Sequence, residues 1–312
     1  MTNDIFKDKA YKHTKRIIGF IDKESESPTF GCADRAYWHY KTIDYFNARY
    51  QEAILILTFF YLEKDGFLYR NEKLLALIQG MADFWLKNLN SNGSVNEVYP
   101  FEQSFCATAF TTYAITEAVL LLSANGNKRL QEFFISADNS LKKVGIWLCK
   151  NGNWHISNQI AVCAIALYNL GELLQERKFL EESKKRINFL LEDYEKNGFF
   201  REYGGFDLGY NTLTMSCLAR YWQKSHNERI FKTLLKMDEF VGYNLDKYGR
   251  YDNIKMSRNT EFIYPFSFKV IKSLLLEKIK IGLQEDLILN PDWLDDRYLT
   301  GLLNDYLMTY YF

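Results

Sequence analysis

"WLCKNGNWHISNQIAVCAIALYNLGELL", Trp147 to Leu174, holds the end of one helix, a glycine loop and a complete second helix. Ile160, Cys163, Ala164, Leu167, Leu170 and Leu174 recur at helical spacing. Apolar side chains surround this second helix almost completely, so it is expected inside the protein. The helix before it, and its relative "EESKKRINFLLEDY" at 181–194, carry charge on one face and are expected outside.

The same order of features returns along the chain: 20–61 ("FIDKESESPTFGCADRAYWHYKTIDYFNARYQEAILILTFFY"), 85–124, 189–222 and 240–271. Each copy has an aromatic near a helix end, a glycine, a polar and aromatic loop, and an apolar helix. The loop glycines are Gly31, Gly93, Gly152, Gly198 and Gly249, between 46 and 62 residues apart (198 minus 152; 93 minus 31). A period of this size fits a helical hairpin, with glycine as the helix C-cap. Five hairpins and a terminal helix from about Trp293 to Phe312 predict one all-α domain over residues 1–312. Its expected form is an (α/α) toroid, an incomplete (α/α)5-6 barrel of outer and inner helices. No stretch alternates with period two, so no β-domain is expected.

Composition narrows the function classes. Apolar residues are 47% and aromatics 17%, enough for a large core. Lys+Arg and Asp+Glu are both 39, and this balance argues against a general nucleic-acid binder. "MTNDIFKDKAYKHTKR" has no apolar h-region. "FCATAFTTYAITEAVLLLSA" contains Thr108, Thr111, Thr112, Thr116 and Glu117, so a buried helix is expected there and no membrane span. Five cysteines without a CxxC read as free thiols. Together these features predict a cytoplasmic location. Four histidines with no helical ligand spacing predict no metal, and no cofactor motif appears.

If the inner helices run parallel, all five loops open on one rim, where the helix amino ends favour anions. The loops offer Asp34, Arg35, Tyr37, Trp38 and His39; Glu97, Tyr99, Glu102 and Gln103; Trp154, His155, Asn158 and Gln159. They continue with Arg201, Glu202, Tyr203, Asp207, Tyr210 and Asn211, then Tyr251, Arg258, Asn259, Glu261 and Tyr264. Aromatics among carboxylates, amides and arginine suit a carbohydrate: ring faces stack on sugars and polar groups bind hydroxyls. Trp38, Trp154 and Tyr203 are the expected platforms, with core packing as the alternative. Helix capping is the alternative for Asn158, Asp207 and Asn211.

"SNQIAVCAIALYNLGELL" and "EYGGFDLGYNTLT" resemble two segments of the heparinase II/III-like and alginate-lyase-like toroids. In those, an Asn-His pair opens an inner helix, and a glutamate and glycine precede a catalytic tyrosine. The resemblance implies that Asn158 neutralises a uronate carboxylate and that Tyr210 is the acid or base. Gln159 stands where the family often has histidine, and His39 or His155 would then supply the proton carrier. Glu202 and Asp207 join the expected catalytic group. Asp34, Arg35, Trp38, Tyr99, Glu102, Gln103, Trp154, His155, Gln159, Tyr203, Asn211, Asn259 and Glu261 would bind substrate. The expected partner is an acidic polysaccharide or oligosaccharide, cleaved by β-elimination at C5 or used in bacterial polysaccharide metabolism. Two alternatives stay open: a glycoside hydrolase with paired carboxylates, and a non-catalytic glycan-binding scaffold. The sugar, the linkage and the oligomeric state are not set by the sequence.

Overall fold

Helix follows helix through residues 4–312, the part of the chain described by this computed structural model. The first elements are α1 (Ile5–Lys12), α2 (Thr14–Gly19), α3 (Arg35–Trp38), α4 (Ala53–Leu62), α5 (Glu72–Lys87) and α6 (Phe105–Ala124). Next come α7 (Arg129–Ser136), α8 (Asp138–Lys150), α9 (Ser157–Leu174), α10 (Arg177–Asn197) and α11 (Leu208–Ser225). The last are α12 (Glu228–Asn244), α13 (Phe266–Val270), α14 (Leu275–Gln284) and α15 (Asp296–Tyr311). Among the described residues there is no strand, only three isolated bridges: Val95 with Ser104, Ile156 with Glu202, and Glu202 with Gly205. The protein is all-α.

Amphipathic and fully apolar helices alternate. All ten residues of α4 are buried. In α5 the buried set is one stripe that includes Leu74, Ile78, Met81 and Trp85, and the opposite face meets water. α6 is buried on nearly all sides. It is the one described helix long and apolar enough to cross a membrane, yet 83% of its apolar window is buried within the protein. Its hydroxyls are satisfied locally: Thr108, Thr111, Thr112 and Thr116 each donate to the carbonyl four residues back.

Two compact units divide the chain. One holds the chain up to Lys12, Asn153–Ile165 and Lys184–Phe312; the other holds His13–Gly152 and Ala166–Ser183. We call them the C-terminal unit and the N-terminal unit.

The loop repeat carries its own backbone signature. The residue opening each turn donates its N–H to the carbonyl just after the glycine, and the glycine N–H returns the bond. This holds for Asp22, Gly31 and Cys32, for Asn90, Gly93 and Ser94, and for Asp246, Gly249 and Arg250. All three glycines have positive φ. They are therefore turn residues beyond the helix rather than the expected C-caps. Gly198, directly after α10, does close a helix, donating to the Tyr194 carbonyl at 2.7 Å. Gly152 is not among the positive-φ residues.

These turns also seat on the outer helix of the next hairpin. A Cβ on Gly31 would lie 2.2 Å from the Gly80 carbonyl carbon in α5, and one on Gly93 would lie 2.5 Å from the Lys143 carbonyl carbon in α8. In the C-terminal unit the contact is mirrored, because a Cβ on Gly282 of α14 would lie 2.1 Å from the Tyr248 carbonyl oxygen. Backbone meets backbone at these points, and only glycine leaves the room.

Candidate functional site

In the C-terminal unit three successive loops are stitched side by side. Ser157 N–H donates to the Arg201 carbonyl at 3.1 Å, joining the loop before α9 to the loop before α11. Ser257 N–H donates to the Phe206 carbonyl at 3.0 Å, joining that loop to the loop before α13.

Glu202 lies at the first seam and is fully buried. Its two carboxyl oxygens accept from Asn158, one from the backbone N–H at 2.8 Å and one from the side-chain amide at 2.7 Å. It thus caps α9 from a different hairpin. Burial pushes its pKa up to about 8, with nearby Asp207 adding to the rise; the Asn158 bonds and the Arg258 charge oppose it. At neutral pH the side chain holds its proton.

Asp207 lies at the second seam. It caps α11 by accepting from Tyr210 N–H at 3.0 Å, and it also accepts from the N–H and hydroxyl of Thr260. Gly209 makes this approach possible, since a Cβ there would lie 2.3 Å from the Thr260 hydroxyl oxygen. Asn211 clamps the loop start, exchanging bonds with both backbone groups of Phe200. Asn158, Glu202, Asp207 and Asn211 are therefore brought together, buried and bonded to one another's loops. Tyr210 is half-buried on the first turn of α11.

Tyr203 and Gly204 have φ of +51° and +88°, and Glu202 and Gly205 exchange backbone bonds across them. This is a two-residue turn of type I′, and a tyrosine in its first central position is strained. The ring is 45% exposed, and the Arg258 guanidinium lies 4.3 Å from its centre. Arg258 is exposed and makes no ion pair among the described residues. Trp154 is 39% exposed and packs on Phe189 and on the guanidinium of Arg186. His155, Asn259 and Glu261 are exposed, and Gln159 is buried, accepting from the Asn153 amide at 2.7 Å.

The N-terminal unit brings its own two loops together. Ala48 N–H donates to the Asn96 carbonyl at 3.1 Å. Asp34 caps α3 through Ala36 N–H and also accepts from Asn47 N–H at 2.8 Å; burial raises its pKa. Trp38 donates its indole N–H to the Phe20 carbonyl, and Arg35 lies over the Tyr40 ring. His39 is exposed and packs between Trp38 and Tyr40. Glu102 folds back onto its own loop, accepting from Val98 N–H at 2.7 Å and Glu97 N–H at 2.9 Å, while Asn92 donates to Gln103. Tyr99 is exposed.

Sequence reading missed Arg49. Its guanidinium, on a side chain 13% exposed, bonds Glu52 and the Cys106 sulfur, lies 3.9 Å from Glu97, and stacks 4.0 Å from the centre of Phe110. Burial works against its charge, but Glu52, Cys106 and Glu97 outweigh that and raise its pKa well above the ordinary value. Trp293 was also missed. It follows Asn290-Pro291, a local turn signal, and is 59% exposed. Among the described residues no group of three or more His, Cys, Asp or Glu is arranged to hold a metal ion.

No family model, no curated protein and no solved structure matches the chain.

Proposed function

We propose that the protein is an (α/α) toroid of helical hairpins that binds an acidic polysaccharide or oligosaccharide on its loops and acts on it in the manner of a uronate lyase. The observation that carries this reading is the Tyr203–Arg258 pair. A strained turn presents an aromatic face to solvent, and an unpaired guanidinium lies on it. A uronic acid needs both: a ring face to stack on and a fixed cation for its carboxylate. The repeated turns and the alternation of outer and inner helices support the toroid.

Within this reading Arg258 takes over the carboxylate-binding role first given to Asn158, whose amide is occupied by Glu202. Tyr210, on the first turn of α11, takes the role of acid or base. Glu202 and Asn158 act as positioning residues, holding the Tyr203 turn against α9. The hydrolase alternative needs two carboxylates that reach substrate, and in the C-terminal unit Glu202 and Asp207 are buried and bonded to the backbone and side chains of Asn158 and Thr260, with Tyr210 N–H also on Asp207.

The test is incubation with uronate oligosaccharides while absorbance near the ultraviolet edge is followed, since only elimination forms a conjugated double bond. Arg258→Ala is expected to weaken uronate binding about tenfold or more, the scale of a charge-assisted bond. Tyr210→Phe is expected to keep binding and lower turnover by about 10²-fold or more. Full turnover by the Phe variant removes Tyr210 from the chemistry. Uronate binding unchanged in the Ala variant removes the proposed site.

A further inference from the structure

A concavity in the C-terminal unit is lined in part by the loop that carries Arg258. Its volume is about 240 Å³. Its lining includes the apolar Ile263, Leu289 and Trp293 and the polar Arg250, Asn253 and Glu261.

Trp293 is the unusual member. It is 59% exposed, and its ring makes no contact with another aromatic among the described residues. It is nonetheless held in place: Asn290 caps the short Pro291–Trp293 helix, and Trp293 N–H donates to the Asn290 carbonyl at 3.0 Å. A large apolar ring that lines a cleft, on a backbone held by these bonds, and is left largely in water is a platform whose hydration would be relieved by a flat partner.

The polar lining offers acceptors. Asn253 spends its amide nitrogen on the Asn259 carbonyl at 2.8 Å, which fixes the side chain and leaves its oxygen free. Glu261 is exposed, and its carboxylate has no hydrogen bond or ion pair among the described residues. Arg250 is neutralised by Asp246, to which its Nε donates at 2.7 Å. The unbalanced charge in the cleft is therefore negative, the reverse of the Tyr203–Arg258 pair.

We propose that this cleft is a subsite for one uncharged pyranose, stacked on Trp293 with hydroxyls donated to Glu261 and Asn253. The inference rests on the reading of these loops as a glycan surface and sharpens it. The substrate is then a mixed polymer, with a uronate at Arg258 and a neutral sugar at Trp293. The volume is below the usual range of extended ligand sites, about 300–1,000 Å³, and suits one ring rather than a chain segment.

The experiment titrates the full chain with methyl glycosides of glucose, galactose, mannose, N-acetylglucosamine and glucuronic acid, by calorimetry and tryptophan fluorescence. At least one neutral glycoside is expected to bind saturably, and in Arg258→Ala, where the first site is removed, to bind more tightly than the glucuronide. Trp293→Ala is expected to weaken that binding about tenfold, and Glu261→Gln several-fold, as loss of a charge-assisted hydrogen bond would. Far-ultraviolet circular dichroism of both variants, and Trp293→Phe as a milder change, keep folding separate from binding. The proposal is overturned if no neutral glycoside saturates, if Trp293→Ala binds like the wild type, or if the glucuronide binds tightest in Arg258→Ala. Uronate binding lost in Arg258→Ala bears on the first site alone, so the two readings fail separately.

Discussion

In the loop before α11, Glu202 is buried with two amide donors and no ion pair. In the loop before α6, Glu97 is buried 3.9 Å from the Arg49 guanidinium, which also holds Glu52. Both loops join an amphipathic helix to an apolar one, and both close with an isolated bridge. The C-terminal unit keeps its carboxyl by leaving the proton on it. The N-terminal unit keeps its carboxylates by burying a cation with them. Burial alone therefore does not say whether an acid in these loops is charged; its nearest partner decides.

The largest effect should come from removing the cation. Arg49→Ala leaves Glu52 and Glu97 buried without it, and urea unfolding at pH 7 should show a loss of about 3–5 kcal/mol. A loss under about 1 kcal/mol would mean that water reaches the carboxylates, and the contrast between the loops would collapse.

The pH response should come next. Between the ordinary value of 4.5 and the folded value near 8, Glu202 binds a proton in the folded state that the unfolded chain has released. Stability should then fall as pH rises through this window, by about 2–4 kcal/mol from pH 5 to 9 at 1.36 kcal/mol per unit. Buried Asp305, raised by its burial to about 7, adds a loss that is complete at lower pH. Glu202→Gln stays neutral and should remove the Glu202 part of the slope in denaturation midpoints measured across pH, leaving that of Asp305. A variant as pH-sensitive as the wild type would move the effect to another group.

The smallest effect sharpens the contrast between strain and capping. Tyr203→Gly relaxes a left-handed residue and should raise stability by about 1 kcal/mol, while removing the ring should weaken uronate binding. Thermal unfolding and calorimetry on the same sample check both halves. A destabilised variant would show that Tyr203 is packing, not presentation.

The alternation of charged and apolar helices was legible because period and composition are local properties: "EESKKRINFLLEDY" and "AVCAIALYNLGELL" declare their faces without reference to anything else. The loop repeat was legible for the same reason, and Asp207 reads as a cap from its place before the α11 pattern. The partners were not legible. Nothing in the local sequence around Glu202 says that it caps a helix 44 residues earlier. Nothing around Arg49 points to Cys106, 57 residues on. Gly80 and Gly282 sit inside helical patterns, where glycine reads as a weakness, and distant contacts explain them: a Cβ on Gly80 would lie 2.3 Å from the Phe30 ring and one on Gly282 would lie 2.1 Å from the Tyr248 carbonyl oxygen. Trp293 was read as the edge of the last helix because its exposure depends on how distant segments fold around it.

The glycine seats also set an order of events during synthesis. Gly31 leaves the ribosome about fifty residues before Gly80, roughly 3–10 s at 5–20 residues per second. Until α5 arrives, the turn at Gly31 has no surface to rest on, and the same delay separates Gly93 from α8. At these two turns the hairpin is thus finished by its successor. A chain stalled or truncated before α5 or before α8 stops with the corresponding turn unseated.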